Sequence, residues 1–355
     1  MILGNLQGLA LSLSEYELFD AKRDWRGKKM KNEILALAYD KINPDKALRL
    51  RDCSSVISYK RYSDGTMKLD GVKSCRVRLC PICSWRRSLK VYSQTRQIVD
   101  YLNKIGKYRY IMLTLTIKNC DSSQLSSTLD TLTKGWDRFA KLTFFKSAVC
   151  GWYRSLEVTH DVNPFITREM YYGNKALHIY SRASYYRSLG LHVGDANPNY
   201  DTYHPHFHVL LAVKPSYYTG RAYIKQSVFS EWWKNSLRAD YLPVCDVRTV
   251  KGHTSLDIDK AVSEVAKYSA KDADYLVPDD WDLTINTVET LDFALSHRRL
   301  IAYGGCMAQA RKILKQDDAE TGDLVHVGED SVAPDIDYSI ISYFWYSGYR
   351  QYYCL

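Results

Sequence analysis

The sequence predicts an α+β fold, a central antiparallel sheet with flanking helices, accompanied by a small cysteine-rich region. Three observations predict it. The run Tyr108 to Lys118 (YRYIMLTLTIK) alternates β-branched and apolar residues, as a half-buried strand does. Two further strand-like runs, Gly151 to Thr159 and Phe207 to Val213, follow it. Amphipathic stretches lie around them, at Leu125 to Lys141, Val228 to Arg238 and Ile258 to Ala273. Strands interleaved with helices in this order suit an antiparallel sheet with helices on its faces.

In chain order, residues 1–50 mix a basic stretch with a helical run, Asn32 to Tyr39. Residues 51–100 hold a cysteine cluster and a basic helix, Trp85 to Asp100. Residues 101–277 contain the strands and most of the helices. Within them a polar, Tyr-rich stretch, Thr167 to Tyr203, reads as a long hairpin or a loop insertion. Residues 278–355 read as a smaller C-terminal region ending in the aromatic tail FWYSGYRQYYCL. The length, 355 residues, suits two or three domains.

Hydrophobic residues make up 46% of the chain and charged residues 25%, which excludes a disordered chain as the default. The formal charge of +9 favours an anionic partner. Basic residues gather at Lys22, Arg23, Arg26, Lys28, Lys29 and Lys31, from Arg76 to Lys90, and at Arg298 and Arg299. A solubilising surface would show the same bias. No apolar run approaches the roughly 18 residues of a membrane-spanning helix. Met1 to Leu13 has neither a basic leader nor a small-residue cleavage pattern, so a cytoplasmic protein with no membrane partner is expected. Nine cysteines, an odd number, argue against a disulfide framework.

Cys80-Pro-Ile-Cys83 is a two-residue-spaced knuckle whose sulfurs can reach one ion. Cys75, in SCRVRLCPIC, and Cys53, in RDCSS, supply two further thiolates, enough for a closed tetrahedral Zn²⁺ site of structural type. A redox CxxC would instead open a helix in a thioredoxin-like unit. Cys120, Cys150, Cys245, Cys306 and Cys354 read as small buried hydrophobes.

In YHPHFHVLLAV, alternation along a strand puts His204, His206 and His208 on one face and Phe207, Val209, Leu211 and Val213 on the other. Imidazoles two residues apart on a core-anchored strand can grip one divalent ion. A hard ion such as Mg²⁺ or Mn²⁺ also wants oxygen. In WYRSLEVTH, Glu157 points away from the face of Leu156 and Val158 and is the candidate third ligand, with His160 and Asp161 as substitutes.

In DIDKAVSEVAKYSAKDADYL, Ile258, Ala261, Val262, Val265 and Ala266 trace an apolar helical stripe. Glu264, Tyr268, Lys271 and Tyr275 share the other side, with Lys267 close by. A phenol, a carboxylate and lysines suit phosphodiester chemistry. Alone, the pattern reads first as a solvated amphipathic helix with Glu–Lys pairs, because the chain holds 29 tyrosines.

Together, SCRVRLCPICSWRRS, YIMLTLTIKN, SLEVTH, YHPHFHVLLAV and EVAKYSAKDADY occur in an order that resembles rolling-circle plasmid replication initiators. The likeness is to the bacterial group with one catalytic tyrosine, within the HUH endonuclease superfamily. It runs from about Trp25 to about Leu314 and includes HRRLIAYGGCMAQARKIL.

The resemblance implies a HUH/Rep-type, ferredoxin- or RRM-like core. It implies that His206 and His208 bind the metal, with His204 supporting them, and that Tyr268 nicks DNA and keeps a 5′-phosphotyrosine. Glu264 would activate water for the final cleavage. The partners implied are plasmid origin DNA, duplex and single-stranded hairpin, with a host helicase and polymerase. Residues 51–100 would then contact DNA, and Arg86, Arg87, Lys267 and Lys271 are the expected phosphate contacts. Two other readings are an HUH transposase or mobilisation relaxase, and a non-catalytic zinc-dependent DNA-binding regulator.

Overall fold

A computed structural model describes residues 17–18, 23–174, 176, 181–220, 222–250, 255–266, 270–331 and 334–354. The elements used below are, in chain order, α1 (Trp25–Ile42), β1 (Val56–Tyr62), β2 (Met67–Val72), α2 (Pro81–Ile105), β3 (Arg109–Thr116) and α3 (Leu125–Phe139). They continue with β4 (Val149–His160), β5 (Tyr203–Val213), α4 (Gln226–Leu237), β6 (Cys245–Thr249) and α5 (Ser255–Val265). The last are α6 (Trp281–Leu295), β7 (Ile301–Gly304), α7 (Gly305–Ile313), β8 (Tyr338–Tyr346) and β9 (Gln351–Cys354).

The fold is α+β with two antiparallel sheets, one in the order β6-β3-β5-β4-β7 and one in the order β2-β1-β8-β9. The histidine strand β5 is the middle of the larger sheet, and its alternation explains why. Phe207, Val209, Leu211 and Val213 are fully buried against Leu129, Leu132 and Trp136 of α3 and Phe229 and Trp233 of α4. On the opposite face Leu210 and Ala212 pack with Val99 of α2, Val262 and Val265 of α5, and Met307 of α7. Each such side chain contributes roughly 1.5–3 kcal/mol of burial. A strand held on both faces is therefore a rigid base for whatever it carries.

The start of α2 is built around the knuckle. Cys80 is its N-cap and Pro81 fills the first turn, where a missing N–H costs nothing.

One expectation is corrected and one is narrowed. The helix expected over Ile258 to Ala273 ends at Val265. Ala270 and Tyr275 are instead drawn into the larger core, and a 3-10 turn spans Asp272–Asp274. Burial outweighs periodicity there. Of the two readings of Thr167 to Tyr203, the described residues favour the insertion over the hairpin, with two short helices, Arg168–Tyr172 and Ala183–Ser188, around a satellite core of Ile166, Met170, Tyr171 and Tyr186. The strands of residues 278–355 join both sheets. β7 pairs with β4, and β8 pairs with β1 along its whole length, from Val56 opposite Phe344 to Tyr62 opposite Tyr338. Among the described residues no helix is long and apolar enough to cross a membrane.

Candidate metal centres

Register brings the first centre together. On β4, Glu157 lies directly opposite His206, and Ser155 opposite His208. On the other side of β5, Thr114 of β3 lies opposite His208. The Glu157 carboxylate is 3.0 Å from His208 Nε2 and 3.5 Å from His206 Nε2, and the two Nε2 atoms are 3.2 Å apart. Donors about 2.1 Å from one ion stand roughly 3.0–3.4 Å apart in octahedral or tetrahedral geometry. The three side chains fit one cation.

Their outer nitrogens are tied down. His206 Nδ1 meets the His204 carbonyl at 3.1 Å, and His208 Nδ1 lies 3.4 Å from the Thr114 hydroxyl. Donation of the Nδ1 proton to the His204 carbonyl leaves the Nε2 lone pair of His206 facing inward. Burial alone would raise the Glu157 carboxyl, but hydrogen bonds and charge from His206 and His208 hold it well below the usual carboxylate range. It is ionised and ready to bind a cation. Burial, with His206 beside it, lowers His204 to about 3, so this third imidazole is neutral. The substitutes fall away: His160 lies on the opposite face of β4, between the Asp274 carbonyl and Asp201, and Asp161 pairs with Arg182.

Cys53, Cys75, Cys80 and Cys83 converge as the second centre. Cys53 Sγ is 3.6 Å from Cys80 Sγ and 3.7 Å from Cys83 Sγ, and Cys75 Sγ is 3.7 Å from Cys83 Sγ. A tetrahedron with bonds of about 2.3 Å has edges of about 3.8 Å, so four thiolates fit one ion. Hydrogen bonds from the other three thiols, with the Arg76 amide, pull Cys83 well below its ordinary value. Its place in the first turn of α2 acts in the same direction. Beneath the cluster, buried Lys29 donates to the carbonyls of Arg51 and Cys53 at 2.5 and 2.7 Å.

Several basic residues are corrected. Arg86 is 1% exposed, with its guanidinium bonded to the carbonyls of Leu324 and Val325 and paired with buried Asp330 at 3.2 Å. It holds the C-terminal segment and is closed to DNA. Arg87 pairs with Glu320 at 3.4 Å and its side chain is 12% exposed. Arg78 and Lys90 are likewise paired, with Glu320 and Asp317. The basic stretch Arg76 to Lys90 is thus largely covered by the acidic segment 317–330.

Tyr268 and Lys267 lie outside the described residues, but one flank of 267–269 reaches the histidine centre and the other is bonded to β4 beside it. The Val265 carbonyl, at the end of α5, accepts from the Ser155 hydroxyl at 2.7 Å and the Tyr153 hydroxyl at 3.2 Å. On the far flank, Lys271 Nζ lies 3.4 Å from Glu157 Oε1. Glu264 sits half-buried one residue before Val265. Tyr275, the alternative phenol, is 1% exposed and donates to the Leu79 carbonyl at 2.6 Å, which removes it from this chemistry. Sequence reasoning missed Ser155, Thr114 and Asp274. The register of two strands flanking the histidines was the signal for the first two, and Asp274 carried none.

A family model described as "Replication protein" matches residues 66–353. A Bacillus amyloliquefaciens "Protein rep" is 35% identical, covering 93% of this chain and 94% of its own length. A Streptococcus pneumoniae serotype 2 "Protein rep" is 32% identical over 87% of this chain and 85% of its own. A third, from Lactiplantibacillus plantarum, is 31% identical over 88% and 91%. No solved structure matches. The family match extends to β8 and β9, beyond the Leu314 limit of the motif resemblance. With four-fifths of its length matched and relatives aligned nearly end to end, this chain belongs to the replication-protein family, that of the plasmid rolling-circle initiators.

Proposed function

We propose that this replication initiator nicks one strand of its plasmid origin with Tyr268, at the centre made by His206, His208 and Glu157. The observation that carries the reading is the convergence of those three donors, opposite one another in strand register, between two chain segments that bracket Tyr268. A divalent cation there, Mg²⁺ or Mn²⁺, would draw charge from the non-bridging oxygens of the scissile phosphate.

The chain's own residues do the rest. The phenol of Tyr268 loses its proton as its oxygen bonds to phosphorus. The bond from phosphorus to the 3′ oxygen breaks, and that oxygen leaves as a 3′-OH able to prime a polymerase. The 5′ phosphate stays on tyrosine as an aryl ester. Lys271, half exposed beside Glu157, steadies phosphate charge, and Lys267 is placed by sequence to do the same. Glu264 takes a proton from water in the closing cleavage. Zn²⁺ held by the four cysteines would fix the turn that starts α2 and anchor residues 51–100. A host helicase and polymerase would extend the primer.

The test incubates the full chain with single-stranded origin DNA and Mn²⁺ and resolves the products on a denaturing gel. A covalent protein–DNA band is expected, lost in Tyr268→Phe and retained in Glu264→Ala. No band from the unaltered protein would favour a binding module. Retention in Tyr268→Phe would move the nucleophile elsewhere.

A further inference from the structure

The face of the larger sheet opposite the histidines carries an arginine that the nicking reading does not use. Arg154 of β4 sits among apolar side chains, 5% exposed, with its guanidinium 4.2 Å from the Phe207 ring and 5.8 Å from that of Trp136. Among the described residues it makes no ion pair, and its buried Nε has no hydrogen-bond partner. Burial lowers it to about 10, so it is charged at neutral pH. The charge acting on it most is that of Asp137, which makes no contact ion pair with it, and a buried cation so weakly balanced is costly.

Arg154 lines a groove of about 600 Å³, within the size range of small-ligand pockets. Exposed Arg299 and Lys141 stand at the rim, and neither has an ion-pair partner among the described residues. Half-buried Trp152 forms part of the wall, lying against Gly304, where any Cβ would collide with its ring at 2.2 Å. One carboxylate, exposed Asp137, also lines the groove. Arginine, lysine and an accessible indole are the elements that hold a phosphate and its base.

We infer that this groove, with Arg154 at its base, binds the phosphate of a nucleotide unit, the base resting on Trp152. The unit comes either from a single DNA strand crossing the back of the sheet or from a free nucleotide. The site is independent of the histidine centre, so its test needs no nicking.

The full chain is titrated with fluorescent dT12 by anisotropy, without added divalent cation, with dTMP and inorganic phosphate as competitors. Arg154→Met should weaken binding roughly tenfold or more. It should also lower the log–log salt slope by about 0.7, one phosphate contact on a single strand. Its thermal midpoint should equal or exceed that of the unaltered protein. Rim variants Arg299→Ala and Lys141→Ala, which do not touch the core, should each weaken binding. Asp137→Asn should tighten it. Arg154-dependent binding of dTMP without dT12 keeps the site and assigns it to a free nucleotide. Unchanged affinity in Arg154→Met and both rim variants would overturn the inference. So would equal destabilisation by Arg154→Met and Asp137→Asn, since Arg154 would then be half of an internal ion pair.

Discussion

Glu157→Gln isolates the contribution of charge at the histidine centre, because it keeps volume and shape. The side chain is 4% exposed, with Oε2 within 3.5 Å of both imidazole Nε2 atoms and Oε1 3.4 Å from Lys271. Removing one partner from a buried ionic contact costs about 3–5 kcal/mol. At about 1.4 kcal/mol per decade, Mn²⁺ should bind at least roughly 100-fold more weakly. The consequence can be read as stability. At a free Mn²⁺ of 100 times the dissociation constant, the unaltered protein gains about 2.7 kcal/mol. The variant at the same concentration gains about 0.4 kcal/mol. Differential scanning calorimetry with and without Mn²⁺ measures both, and the covalent-adduct assay should lose its band in parallel. If the variant kept the full Mn²⁺-induced rise in Tm, Glu157 would not be a ligand, and the donor distances would reflect only a carboxylate–imidazole hydrogen-bond network.

Tyr275→Phe should leave adduct formation intact while lowering stability by about 1 kcal/mol, the worth of its bond to the Leu79 carbonyl. Loss of the adduct would return Tyr275 to the list of nucleophiles. Cys83→Ser should reduce bound zinc, measured by elemental analysis, from about one equivalent towards none. It should also lower Tm, and a protein that loses zinc with Tm unchanged would deny the cluster a structural role. Asp274 supplies a pH prediction for the metal-free protein. Burial is the main cause raising it to about 7, Glu157 adds to this, and its Oδ2 has no hydrogen-bond partner. A folded value above the unfolded 3.8 stabilises fully below pH 4 and loses that contribution as pH rises through 7. Asp274→Asn should therefore flatten the fall in Tm between pH 4 and 8, by at most about 4 kcal/mol and less after solvent screening. An unchanged slope would show that Asp274 titrates normally.

The histidine strand was the most legible element, because period-two alternation is a local property and β5 obeys it on both faces. The same logic placed Glu157 correctly, since Leu156 and Val158 do point to the α3 side. The knuckle cysteines announced themselves by spacing. Cys53, 22 residues before Cys75, became a certain neighbour only when α1 and the β1–β2 hairpin brought it back. The end of α5 was illegible because helical periodicity continues past Val265. Beyond it, Tyr275 is held by a long-range contact, its hydroxyl donating to the Leu79 carbonyl 196 residues away. The place of the aromatic tail was hidden for the same reason. β8 pairs with β1 across nearly the whole chain, a contact that no window of sequence contains.

Charge was the most misleading signal, and the reason bears on how the protein meets DNA. A run of arginines reads as a phosphate-binding surface only if its counter-charges are water and salt. Here Asp330 takes both Arg23 and Arg86, Glu320 takes Arg78 and Arg87, and Asp317 takes Lys90. The Arg86–Asp330 pair is 1% exposed on each side, where salt does not screen it and DNA does not reach it. Those pairs fasten the segment 317–330 to α2, beside the cysteine centre, and so contribute to folding. Net charge is therefore the wrong quantity for locating DNA. The cations that matter are those left without acids, or, like Lys271, held by a carboxylate that a metal ion would claim. On the proposed reading, a cation at Glu157 would compete with Lys271 for the carboxylate and leave that ammonium for a phosphate. Such a centre would couple cation binding to the availability of a positive charge, which a permanently exposed lysine would not do.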